Sequence, residues 1–248
     1  MNAQLVFIAL SPAVALVWFF YVRNTYRPES KLLITVLFVL GFVAGLVALV
    51  LNHMVEKYTM LWPGAQESIY RQMYWVFGIG LNEEFAKMLM LLLVLYPRRD
   101  FITPYQGLLG ATTVALGFAA IENIFYLERY GTMTLLIRSG LTVPAHAFFT
   151  APLGVGMGLA KGAATLRAKY LWMVGGLAFS ISAHGLYDIL LSVDLVWMNR
   201  LGYLHVVVLG LFTLWLMRLK PLRREAPPGE GPDQDAPPPS ATIQPGTV

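Results

Sequence analysis

Leu32 to Leu51 reads LLITVLFVLGFVAGLVALVL, twenty residues without a charge. At a rise of about 1.5 Å per residue, a helix of that length crosses about 30 Å, the thickness of a bilayer's hydrocarbon core. Runs of the same kind lie on either side, near Leu5 to Val22, Tyr70 to Leu95, Tyr105 to Leu127, Leu141 to Ala160, Tyr170 to Val193 and Leu201 to Leu219. The expected fold is all-α, a polytopic transmembrane helix bundle of about seven spans. Composition agrees: 57% of the 248 residues are hydrophobic and 13% are charged, against about a quarter charged in soluble proteins. Mean hydropathy is +0.60. The absence of cysteine excludes a disulfide framework, a thiolate metal site and a cysteine nucleophile.

Charge sets the expected orientation. Alternate loops carry 12 and 5 basic residues, and the remaining one, Lys87, lies inside a span. Positive loops stay on the cytoplasmic side, so the N-terminus is expected outside and the C-terminus inside. Leu5 to Val22 has no Lys or Arg before it, and Arg23 and Arg27 follow it, the pattern of an uncleaved anchor. In such a chain the net charge of +4 records topology, and no nucleic-acid partner is expected. Residues 1–220 form the expected transmembrane domain, with its motif-bearing core at about 70–193. From Pro221 onward lie 8 of the 15 prolines, so 221–248 is expected to be a disordered cytoplasmic tail.

Ionisable side chains inside spans are costly and usually face a cavity or one another. There are seven: Glu83, Glu84 and Lys87 in the third span, Glu122 in the fourth, His146 in the fifth, and His184 and Asp188 in the sixth. Glu83 with Lys87, and His184 with Asp188, are four residues apart and share a helix face. With alternating span directions, the four helices bring these groups to one layer in the outer half of the bilayer.

Imidazoles and carboxylates on separate helices suit zinc or another divalent ion. Glu122, His146 and His184 are the expected ligands, and Asp188 is a fourth ligand or a partner of one. Glu83 or Glu84 is the expected general base for a bound water, with Lys87 keeping a neighbouring carboxylate ionised. Such a site can hydrolyse an amide. A metal-free version, in which Glu83 and Glu122 activate water while His184 and Asp188 stabilise the oxyanion, uses the same residues. A proton- or cation-coupled transporter is the alternative from another class. His53, His205, Glu128 and Asp194 read as interfacial or solvated. The glycines Gly154, Gly156, Gly158 and Gly162 sit within a span and read as sites of close helix approach. Asn52 to Ser68, containing Pro63 and Gly64, reads as a loop able to admit a substrate.

Glu83-Glu84-Phe85-Ala86-Lys87 matches EExxK, Phe118-Ala119-Ala120-Ile121-Glu122 matches FxxxE, and His184-Gly185-Leu186-Tyr187-Asp188 matches HxxxD. In that order, on successive spans, these motifs resemble the PrsW family of bacterial intramembrane proteases, with His146 similar to that family's additional histidine. The resemblance covers roughly Leu81 to Leu190. The related type II CAAX prenyl proteases carry EExxxR, a second-motif His and HxxxN, where this chain has Lys87, Glu122 and Asp188. The resemblance implies an enzyme of the bacterial inner membrane that cleaves a membrane-anchored protein, such as an anti-sigma factor, near the outer face. It leaves both the metal and the metal-free mechanism open, as well as the oligomeric state.

Overall fold

The computed structural model describes residues 3–23, 29–59, 74–193 and 195–218, and every regular element among them is helical. The elements are α1 (Ala3–Val22), α2 (Lys31–Thr59), a π-helical stretch (Tyr74–Gly80) running into α3 (Leu81–Val94), α4 (Pro104–Tyr130), α5 (Thr132–Gly140), α6 (Thr142–Gly162), α7 (Leu166–Ser192) and α8 (Val196–Leu216). Six stretches are long and apolar enough to cross a membrane: α1, α2, α4, α5 with α6, α7 and α8.

The third expected span is built differently from the others. Tyr70 to Leu95 was read as one apolar run, but its described part is a 7-residue π-helix joined to a 14-residue α-helix. A π turn holds more residues than an α turn and is often found beside a functional site. Here it lies immediately before Glu83 and Glu84. The segment from Asn52 to Ser68 also departs from expectation. Its first part, through Thr59, continues α2, which reaches 29 residues or about 44 Å. The remainder of that segment lies outside the described residues, as do Asp194 and the expected tail.

The α4 helix is the axis of the bundle: 78% of its apolar window is buried inside the protein, against 17% for α1. Its start is fixed by local chemistry. Thr103 Oγ1 accepts from the Gln106 backbone N–H at 3.1 Å, while Gln106 Oε1 accepts from the Thr103 N–H at 3.0 Å. Pro104 occupies the first helical turn, where its missing N–H costs nothing. Along α4, Gly117 lies against the backbone of Phe38 and Gly41 on α2, and Gly107 against Gly154 on α6. A Cβ at either place would meet a backbone carbonyl, so small residues set the helix spacing, as is usual where lipid supplies no hydrophobic drive between helices. Gly154, Gly156 and Gly158 all abut neighbouring backbone, as their spacing suggested.

One backbone feature positions the site. Gly131, with φ of 81°, ends α4 in a conformation that L side chains adopt rarely. The chain then turns back along α4, and Arg138 of α5 returns to Glu122 and Asn123. Arg138 is one of the 5 basic residues of the smaller loop set, where a solvated side chain is expected. It is instead 6% exposed.

Candidate active site

Four elements supply the seven ionisable side chains. Glu83, Glu84 and Lys87 lie in the first two turns of α3, Glu122 on α4, His146 near the start of α6, and His184 and Asp188 near the end of α7. The structure brings all seven into one connected cluster.

Lys87 is its centre. Fully buried, its ammonium is 2.7 Å from Glu84 Oε1, 3.9 Å from Glu83 Oε2 and 3.2 Å from His146 Nδ1, with the Phe118 ring centroid 4.1 Å away. Removing one partner from a buried charge pair costs about 3–5 kcal/mol, so this geometry is held firmly. Glu84 is saturated. Its Oε1 accepts from Lys87 and from His184 Nδ1 at 3.0 Å, and its Oε2 from Thr150 Oγ1 at 2.8 Å.

Ammonium groups only donate, so Lys87 makes His146 Nδ1 an acceptor. The proton of the neutral ring therefore sits on Nε2, which donates to Glu122 Oε2 at 2.9 Å. Glu122 Oε2 also receives Arg138 Nη2 at 2.9 Å, while Arg138 Nε donates to Asn123 Oδ1 at 2.8 Å. Asn123 in turn donates to the carbonyl of Ala9 on α1. Asn123 and Thr150 each engage both a site side chain and a backbone carbonyl.

The other half of the cluster is open. Glu83 Oε1 accepts from Asn52 Nδ2 at 3.2 Å, and Asn82 Nδ2 fixes that amide by donating to Asn52 Oδ1 at 3.1 Å. Glu83 Oε2 and Asp188 Oδ2 are both buried and have no hydrogen-bond partner. They lie 3.6 Å and 3.7 Å from His184 Nε2, the ring nitrogen that Glu84 does not engage. A cavity of about 290 Å³ opens here, lined by Glu83, Glu122, Arg138, His146, His184 and Asp188, with Ile79, Tyr126, Tyr187 and Leu191 among its apolar walls.

Donor atoms of Glu83, His146 and His184 lie within 4.8 Å of one another. Two of the four expected ligands, His146 and His184, thus fall in the tightest set, joined by Glu83, which had been assigned to proton transfer. Asp188 flanks that set beside His184, and Glu122 flanks it beside His146. Sequence reasoning missed Asn52 and Arg138. It also set His205 apart as interfacial. That ring is half-buried, donates from Nε2 to the Ala183 carbonyl at 2.9 Å, and lies against Phe149, which stacks on His184. His53 and Glu128 are exposed, as expected.

A family profile described as PrsW family intramembrane metalloprotease matches residues 29–217. The chain belongs to the PrsW family. Protease PrsW of Geobacillus kaustophilus (strain HTA426) is 32% identical over 89% of this chain and 92% of its own length. Protease PrsW of Halalkalibacterium halodurans is 30% identical over 87% and 94%, and that of Bacillus subtilis (strain 168) 28% identical over 76% and 83%. No solved structure matches. The PrsW relationship makes this chain an intramembrane protease of the bacterial cell membrane and takes the place of the transporter alternative. The family's description as metalloproteases implies a divalent metal.

The residues fit such an ion. The cluster holds four carboxylates, Glu83 and Glu84 buried and Glu122 and Asp188 partly buried, against the two cations Lys87 and Arg138. Lys87 pairs with Glu84, and Arg138 pairs with Glu122. The two uncompensated carboxylates carry the two orphaned oxygens, and both face His184 Nε2. A tetrahedral zinc site places ligand atoms about 3.3 Å apart, from metal–ligand distances of about 2.0 Å.

Proposed function

We propose that this PrsW protein hydrolyses a peptide bond of a membrane-anchored protein near the outer face of the membrane, with Glu83 as general base. The single observation that carries this reading is the pair of orphaned carboxylate oxygens, Glu83 Oε2 and Asp188 Oδ2, converging on His184 Nε2 at the wall of a cavity. The outer location is supported by the 12 to 5 bias of basic residues between alternate loops. Taking buried Arg138 out of the smaller set widens that bias.

Glu83 is favoured over Glu84 because both Glu84 oxygens are engaged by buried donors, whereas Glu83 has one oxygen anchored by Asn52 and the other without a hydrogen-bond partner. Water in the cavity gives a proton to Glu83 Oε2 as its oxygen bonds to the scissile carbonyl carbon. When the C–N bond breaks, Glu83 returns that proton to the departing amine. Glu84 orients the His184 ring through Nδ1, as carboxylates commonly do behind metal-binding imidazoles. The chain of Lys87, His146, Glu122 and Arg138 holds the opposite wall in place.

A divalent ion, zinc by the chemistry of the donors, would be held by His184 Nε2 and Asp188 Oδ2. His146 is the further donor, provided its ring gives up one of its present hydrogen bonds. Glu83 lies within the same set, its carboxylate within 4.8 Å of the donor atoms of both imidazoles. When bound, the ion would polarise the carbonyl and make water more acidic. Glu122 supports this set from its pairing with Arg138 and His146.

The test is N-terminal peptide profiling of membranes that carry the wild-type protein or Glu83→Gln. New N-termini in membrane proteins, made by the wild type and absent with the variant, are expected. Identical profiles from two folded proteins would contradict the reading.

A further inference from the structure

Arg138 has no place in the motifs on α3, α4 and α7, and it is the sole cation lining the cavity among the described residues. Three contacts fix its guanidinium: Nε to Asn123 Oδ1, Nη2 to Glu122 Oε2, and the plane over the Tyr126 ring at 3.9 Å. Guanidinium carries five N–H donors in a rigid fork. Two of them are engaged, and Nη1 has no partner among the described residues, yet it is not among the buried orphaned atoms. Arg138 thus lines the cavity in which Glu83, His184 and Asp188 meet while holding N–H donors in reserve.

We propose that Arg138 is a further catalytic residue, whose free guanidinium edge donates to the scissile carbonyl oxygen and stabilises the negative charge that grows there. This rests on the hydrolytic reading above. As the water oxygen bonds to the carbonyl carbon, the π electrons of C=O move onto oxygen, and the water's proton goes to Glu83. As the C–N bond breaks, those electrons return and the carbonyl re-forms. Arg138 keeps its protons throughout. A fixed donor at such a position contributes most because nothing has to reorganise during the reaction. The fixing is built into the backbone: the turn at Gly131 carries α5 back over α4, while Met133, Leu136 and Ile137 remain exposed on its outer side.

The competing role is confinement to Glu122, in which Arg138 only neutralises that carboxylate. The experiment begins with membrane profiling of the wild type and Glu83→Gln. A synthetic peptide spanning the most abundant Glu83-dependent cleavage site then serves as substrate in liposomes. Arg138→Lys keeps a cation beside Glu122 but loses the fork. It is expected to lower kcat by about 10²-fold, in line with loss of one oxyanion donor, with little change in KM. Methylguanidinium is expected to restore part of the turnover of Arg138→Ala.

The decisive comparison adds Arg138→Lys to Glu122→Gln, where no carboxylate remains to be paired and no buried anion is left unpaired. A further fall in kcat supports contact with the substrate. No further fall, or a change confined to KM, overturns the proposal while the protease reading stands. If the wild type and Glu83→Gln give identical profiles, the protease reading fails and Arg138 falls with it.

Discussion

Glu83 and Glu84 are neighbours in sequence and opposites in environment. Glu84 is completely buried and receives three hydrogen bonds, from Lys87, His184 and Thr150. Glu83 keeps one oxygen anchored by Asn52 and the other buried without a hydrogen-bond partner beside the cavity. Successive residues of a helix are about 100° apart, so one side chain turns into the α6 and α7 contacts while the other turns toward α2 and the open wall. The difference assigns a structural task to one carboxylate and a chemical task to its neighbour, although the dipeptide itself favours neither.

The largest test of that contrast is turnover. Glu83→Gln is expected to slow cleavage by about 10²–10⁴-fold, the usual contribution of a general base, while the melting temperature holds or rises. Glu84→Gln is expected to act first on stability, by about 3–5 kcal/mol, because it strips a buried ammonium of its ionic partner. Denaturation of the detergent-solubilised protein would check this. Adding Lys87→Met to Glu84→Gln is expected to recover part of that stability and none of the activity. If Glu83→Gln were the unstable variant and Glu84→Gln the stable, inactive one, the roles would be reversed.

A smaller effect is expected at Asn52, which holds Glu83 from 31 residues away. Asn52→Ala leaves both Glu83 oxygens without a fixed donor and is expected to cost about 1 kcal/mol, or about fivefold in kcat, with little change in KM. The last test touches stability alone, at Gly131. Gly131→Ala meets no atom within 4 Å, so only the backbone, at φ 81° and ψ −179°, resists it, by about 1–3 kcal/mol, read as a fall in melting temperature.

The sequence made the helices and the seven ionisable groups legible for one physical reason: a charge inside a 20-residue apolar run is costly enough to stand out. Asn52 and Arg138 lacked that signal. Asn52 sits one residue past the run ending at Leu51, and only the continuation of α2 to Thr59 brings it to Glu83. Arg138 lies in a stretch polar enough to read as a loop, and the turn at Gly131 sends it back to Glu122. The break in the third span was hinted at by Gly78 and Gly80, but an apolar run containing glycine is compatible with an unbroken helix as well. Which carboxylate is free depends on contacts between residues far apart in the chain, and helical spacing carries no record of them.

Divalent-ion content of the detergent-purified protein tests the division between paired and open carboxylates most directly. About one ion per chain is expected in the wild type, lost in His184→Ala and Asp188→Asn and retained in Glu122→Gln, whose carboxylate already answers Arg138. Loss of the ion in folded Glu122→Gln, with retention in Asp188→Asn, would contradict that division and return Glu122 to the ligand set.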